Sequence, residues 1–139
     1  MILLDTSGLL AAIAGSQRTN AAARRALDGE VGPLVLSPFV LAELDYLLTR
    51  WSSPDDALAL MREVERRTYE LAEFDANDVG RSADVVESYR DLDIGLADAS
   101  IVVLAARLRT KRILTLDERH FRALRPLDAG HFVLLPADA

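Results

Sequence analysis

Two carboxylates in this chain close apolar strands, and two more interrupt helices whose other residues are built for a core. Asp5 ends the run Ile2–Leu3–Leu4, and Asp117 follows Ile113–Leu114–Thr115–Leu116. Glu43 stands in SPFVLAELDYLL and Asp98 in LADASIVVLAARL. Three of the four have a plain explanation when taken singly. Asp5 can cap the helix that follows it. Glu43 has Phe39, Val40, Tyr46 and Leu47 three and four residues to either side, which puts it on an apolar stripe where Arg50 can pair with it, whereas Asp45 falls on a polar side with Ala42 and Thr49. Asp98 can favour the positive end of a helix dipole.

Taken together, the four point to shared chemistry. Like charges in one pocket repel and raise each other's pKa, and an acid on a core-facing stripe is costly unless something pairs with it. A hard cation resolves both conflicts. Mg²⁺ prefers oxygen ligands and keeps several waters beside one or two carboxylates and substrate phosphate; Mn²⁺ is also possible. Such a site activates water and clamps the oxygens of an in-line phosphoryl displacement. The chain has no cysteine, which excludes disulfides and thiolate metal sites, and only two histidines, His120 and His131, which supply a His-built site or a Ser-His-Asp relay poorly.

The elements that must position these acids alternate. Short apolar strands are expected at Ile2–Leu4, Leu34–Leu36, Tyr69–Phe74, Ile113–Leu116 and Phe132–Leu135. Between them, helices are expected after Thr6–Ser7, over Ala21–Leu27 beyond a polar break at Gly15–Asn20, over Pro38–Trp51, from Pro54 through Arg67, from the Asp75 cap to about Arg90, over Ala97–Arg109 and over Glu118–Leu124. Ser37–Pro38 and Ser53–Pro54 pair a capping hydroxyl with proline at the first helical position, a strong start signal. Strands alternating with helices imply parallel β-α-β units in a three-layer α/β sheet, and such sheets bind ligands beyond the carboxyl ends of their strands. Asp5 and Asp117 therefore share one edge.

Length and composition set the outer bounds. The 139 residues make one domain, 1–139, and half are hydrophobic, enough for a proper core. No basic n-region precedes the apolar start, and the longest uncharged apolar stretches fall far short of a membrane span, so a soluble cytoplasmic protein is expected. The net charge of −6 runs against a nucleic-acid partner unless the acids are gathered around a cation. Lys111 is the only lysine, and Arg24–Arg25, Arg62–Arg66–Arg67 and Arg119–Arg122–Arg125 are either phosphate contacts or solvated helix faces.

With MILLDTSGLLAA, SPFVLAELDYLL, LADASIVVLAARL and ILTLDERHF in this order and spacing, the chain resembles the PIN-domain ribonucleases, most closely VapC-type toxins of bacterial toxin–antitoxin pairs. The resemblance implies a PIN-like three-layer α/β/α sandwich around a mainly parallel sheet of about five short strands. It implies Asp5 and Asp98 as the principal Mg²⁺ ligands, with Glu43 and Asp117 completing the pocket directly or through water and orienting the attacking water. Thr6, Ser7 and Thr115 become supports of these acids, or simply helix caps and strand-end hydroxyls. Asp93 is a nearby acid, but the apolar helix follows Asp98 in the expected frame.

The activity implied is a metal-dependent endoribonuclease that leaves 5′-phosphate and 3′-hydroxyl ends on tRNA or ribosomal RNA. The resemblance also implies a cognate VapB-type antitoxin and a homodimer. Two other Asp-after-strand classes fit poorly. An aspartate-nucleophile phosphatase needs a second Asp where Ser7 stands, and a receiver domain needs an acidic pair where there is only Asp5. A PIN fold that binds RNA or protein without cutting is the remaining alternative.

Overall fold

The computed structural model describes residues 1–14 and 18–139, so the polar break expected over Gly15–Asn20 lies partly outside the described residues. Strand β1, Ile2–Leu4, is buried on both faces, as three consecutive apolar residues require at the centre of a parallel sheet. Helices α1 (Thr6–Ala14) and α2 (Arg18–Asp28) lead to β2 (Leu34–Leu36), and α3 (Pro38–Trp51) and α4 (Pro54–Glu65) lead to β3 (Glu70–Leu71). The long crossover α5 (Ala76–Ser88), a 3₁₀ turn (Arg90–Leu92) and α6 (Leu96–Leu108) reach β4 (Arg112–Leu114), and α7 (Glu118–Ala123) precedes β5 (Val133–Leu135). The strand order is β3-β2-β1-β4-β5 with every pair parallel, and the whole is a three-layer α/β/α sandwich. No described helix is long and apolar enough to cross a membrane.

Register places the chemistry. Leu4 pairs with Leu36 on one side and Leu114 on the other, so the residues after them, Ser37, Asp5 and Thr115, form one polar row at the carboxyl edge. All three are buried. From β1 the chain moves outward to β2 and β3, then returns to add β4 on the opposite side of β1. The strand order therefore reverses between β1 and β4, the crevice where open α/β sheets bind ligands.

The caps form as expected: the Ser37 hydroxyl accepts from Phe39 N–H, Ser53 accepts from Asp56 N–H, and Asp75 with Asp78 closes a capping box. Several boundaries differ from expectation. The second helix begins at Arg18 rather than Ala21. The third strand shrinks from Tyr69–Phe74 to Glu70–Leu71, because it is an edge with a single neighbour, β2, and both residues are exposed; a short edge also resists pairing with another chain. The fourth ends at Leu114, not Leu116, because Leu116 N–H turns away to the Ser7 hydroxyl. The Pro54 helix stops at Glu65, before Arg67 at φ 65°, and the Asp75 helix stops at Ser88.

Gly8 explains how α1 reaches the sheet. A Cβ there would lie 2.2 Å from Leu114 O and 2.7 Å from Thr115 N, so only glycine lets the helix backbone press on the end of β4.

Candidate active site

Asp5 is the centre of the polar row. Its Oδ2 accepts from the Thr115 hydroxyl and from the Ser7 hydroxyl, each at 2.7 Å. Those two hydroxyl oxygens in turn accept from backbone N–H groups, Asp117 to Thr115 at 2.9 Å and Leu116 to Ser7 at 3.0 Å. With both protons spent on Asp5, the 3.2 Å approach of Ser7 to Thr115 is a contact rather than a hydrogen bond. The turn after β4 is thus wired through two hydroxyls into one carboxylate oxygen. Burial pushes the Asp5 carboxyl above its ordinary value, and these hydrogen bonds partly offset it.

Asp98 stands in the first turn of α6, half-buried. Its carboxyl is pushed up to about 6, first by burial and next by the charge of Asp5; Glu43 adds to the rise, and His120 and the Gly95 backbone oppose it. A buried pair of serines pins this turn to the start of α3. Ser100 gives its proton to Ala97 O at 2.6 Å, so Ser37 donates to Ser100 across 2.7 Å while accepting from Phe39 N–H.

Glu43 is not on the core stripe. That stripe is Val40, Leu44 and Leu48, all buried, whereas Glu43 is exposed and Tyr46 is 60% exposed. Asp45, expected on the polar side, is the more buried of the two acids. The reason is that α3 carries apolar residues on more than one side, so periodicity alone does not select the face that packs. Glu43 takes a hydrogen bond from the Thr6 hydroxyl at 2.6 Å, which ties it to α1 beside Asp5. Among the described residues it forms no ion pair with Arg50, whose guanidinium lies over the Trp51 ring at 5.6 Å.

Asp117 caps α7. One oxygen accepts from His120 N–H at 3.0 Å and the other lies 2.8 Å from His120 Nδ1. Its charge also reaches Asp5. The four acids are therefore neighbours in one electrostatic field, delivered by β1, α3, α6 and the turn after β4. Among the described residues no three acids or histidines are close enough to form a ready-made metal cage. The set fits a cation that keeps waters in its shell better than one needing a closed protein cage. Two acids held above their ordinary values, each partly by another's charge, are the sign of a pocket short of positive charge. Asp93 lies outside this group, exposed and in left-handed backbone at φ 54°.

Three contributors escape the sequence reading. Gly8, early in a helix, is the one with a legible signal, since glycine there is costly unless backbones approach. Ser100 is hidden in an apolar helix and gains meaning only opposite Ser37. His120 is discounted as one of two isolated histidines, although its spacing of three from a capping Asp is the usual geometry of a turn contact. Half of the clustered arginines are engaged in ion pairs: Arg24 with Asp28, Arg62 with Glu65, Arg66 with Glu63 and Arg122 with both Glu118 and Asp138.

Comparison with known proteins agrees with this architecture. The PIN domain family matches residues 2–125. Ribonuclease VapC26 of Mycobacterium tuberculosis is 44% identical over 135 residues, covering 97% of this chain and all of that protein. Among solved structures, M. tuberculosis VapC20, described as a sarcin–ricin loop cleaving toxin, superposes with a TM-score of 0.78 at 16% identity, covering 85% of this chain and 91% of the other. VapBC2 of Rickettsia felis, bound to a promoter DNA fragment, gives 0.66 at 20% identity, over 96% and 97%. The fold, the acids at its switch point and a relative matched end to end lead to one conclusion: this chain belongs to the PIN-domain family, in its VapC-type branch.

Proposed function

We propose that the protein is a Mg²⁺-dependent endoribonuclease toxin that cuts RNA of the translation machinery, tRNA or ribosomal RNA, and is neutralised by a cognate VapB-type antitoxin. The observation that carries the reading is the pocket at the β1/β4 switch point, where Asp5 and Asp98 are both held above their ordinary pKa with Glu43 and Asp117 beside them. RNA as substrate is supported by the name of the 44% identical relative, a ribonuclease. The antitoxin rests on analogy with the fold's solved neighbours, one of them a VapBC assembly.

In this reading Asp5 and Asp98 hold the cation, and Mn²⁺ can replace Mg²⁺. When bound, the cation supplies Lewis-acid polarisation of the phosphate oxygens and of water. Glu43 and Asp117 orient the attacking water, which adds to phosphorus as the 3′-oxygen leaves, giving 5′-phosphate and 3′-hydroxyl ends. Ser7 and Thr115 hold Asp5 in place through its Oδ2. Thr6 does the same for Glu43. A homodimer and the antitoxin would both use the apolar surface that the first four helices leave open, including Tyr46, Trp51, Leu58 and Met61. A cytoplasmic location goes with this reading.

Cleavage of total bacterial RNA by the purified protein, with Mg²⁺, with Mn²⁺ and with chelator, beside Asp98→Asn, tests it. Discrete products that need the cation and vanish in the variant are expected. The alternative is a binding-only module, which loss of one of the four acids would favour; Asp5, Glu43, Asp98 and Asp117 are all present. RNA retained by the folded protein without cleavage under every cation condition would decide for that module.

A further inference from the structure

Helix α3 presents to solvent a stripe that starts at the pocket. Tyr46, Leu47 and Arg50 follow Glu43 by three, four and seven residues, so all four share one face of the helix. Glu43 opens the stripe beside Asp5, tied to the Thr6 hydroxyl at 2.6 Å. One turn on, Tyr46 is 60% exposed. A hollow of about 460 Å³ lies here, lined by Ala42, Glu43, Tyr46 and Leu47. A further turn on, Arg50 is exposed, and among the described residues no carboxylate pairs with it; the Trp51 ring supports its guanidinium at 5.6 Å. Acid, aromatic ring and unpaired guanidinium thus run in line over two helical turns, about 10 Å.

Those three groups match a strand of nucleic acid leaving the cut. The pocket is acidic and the net charge is −6, so phosphate contacts alone hold such a strand poorly. Stacking escapes that repulsion, since every base has a π-face that an aromatic ring can cover. A guanidinium suits the phosphate beyond the base. In-line displacement sets the attacking water opposite the leaving 3′-oxygen, so Glu43, which orients that water, faces away from the upstream nucleotide. The stripe beyond Glu43 therefore belongs to the downstream side. We infer that the base just downstream of the cut enters the hollow and stacks on Tyr46, and that Arg50 holds the phosphate after it. The inference rests on the nuclease reading. Tyr46 is also part of the apolar surface that a protein partner would cover, but an unpaired guanidinium one turn along favours the RNA strand, and the experiment separates the two.

A short RNA containing the mapped cut site is made with its normal base or with an abasic ribose just downstream of the cut, and kcat/KM is measured on both. For the unaltered protein, removal of the base is expected to cost roughly 10- to 100-fold, and exchange for another base much less. Tyr46→Ala should lose a similar factor on the intact RNA and nothing further on the abasic one. Tyr46→Trp, which keeps a stacking face, should restore the discrimination, whereas Tyr46→Leu, which keeps only apolar contact, should not. Arg50→Ala should leave the abasic penalty in place and flatten the slope of log kcat/KM against log salt by about 0.7. An abasic penalty missing from the unaltered protein, or a salt slope unaltered in Arg50→Ala, would overturn the proposal. So would a penalty undiminished in Tyr46→Ala, which would assign the ring to a protein contact or to structure. Unaltered protein that cuts neither RNA would instead fail the nuclease reading, and this proposal with it.

Discussion

Replacing Asp98 by asparagine should make the metal-free protein more stable at neutral pH, although the residue is at the heart of the site. The carboxyl is raised from 3.8 to about 6 in the folded chain. At 1.36 kcal/mol per pH unit that rise corresponds to about 3 kcal/mol. Asp98 is only half-buried, and solvent screening cuts the figure to about 1–2 kcal/mol. Against it stands the helix dipole, since a charge in the first turn of α6 contributes about 0.3–1 kcal/mol that asparagine forfeits. Burial and repulsion win, leaving about 1 kcal/mol in favour of the variant.

The sign with pH follows from linkage. A carboxyl whose folded pKa is raised binds its proton more tightly in the folded state, so its contribution is fully present below 3.8 and is lost as pH rises through about 6. The advantage of Asp98→Asn should therefore be small near pH 4, grow between pH 4 and 7, and level off by pH 8. Urea unfolding in chelator across that range measures it. With a slope of about 2 kcal/mol per molar urea, the midpoint at pH 8 should rise by about 0.5 M. Added Mg²⁺ should reverse the order, because a cation at a hundred times its dissociation constant stabilises its binder by about 2.7 kcal/mol. A variant no more stable than the unaltered protein at pH 8, or an advantage that does not change with pH, would refute the claim that the pocket repels itself.

Thr115→Val keeps the shape but removes the donor to Asp5 and the acceptor for Asp117 N–H; it should cost about 1–3 kcal/mol of stability and 10- to 100-fold in cleavage rate, read by unfolding and by RNA cleavage. Gly8→Ala drives a methyl into Leu114 O and should cost about 3 kcal/mol or more, seen as a loss of cooperative thermal unfolding. Glu30 is held down at about 2 by Arg112, the N-terminal ammonium and Gly32 N–H, so its stabilisation should be present above pH 4.5 and disappear as pH falls towards 2. Glu30→Gln should flatten acid denaturation over that window and cost about 2 kcal/mol at pH 7.

What the sequence determined by itself was whatever depends on near neighbours along the chain. The triplets Ile2–Leu4 and Leu34–Leu36 are too apolar to be anything but inner strands, and Ser37–Pro38 and Ser53–Pro54 carry their caps within three residues. That logic was enough to bring Asp5 and Asp117 to one sheet edge. Tertiary structure decided everything that hangs on which surfaces meet. The helix bearing Glu43 has apolar residues on more than one side, and only packing through Val40, Leu44 and Leu48 turned the acid outward to the Thr6 hydroxyl. The strand order β3-β2-β1-β4-β5 brought Thr115 to Asp5 across 110 positions, and Ser100 to Ser37 across 63. No local propensity encodes such pairs: a hydroxyl finds its acceptor only after the hydrophobic layers have closed and brought the buried polar atoms within reach of one another.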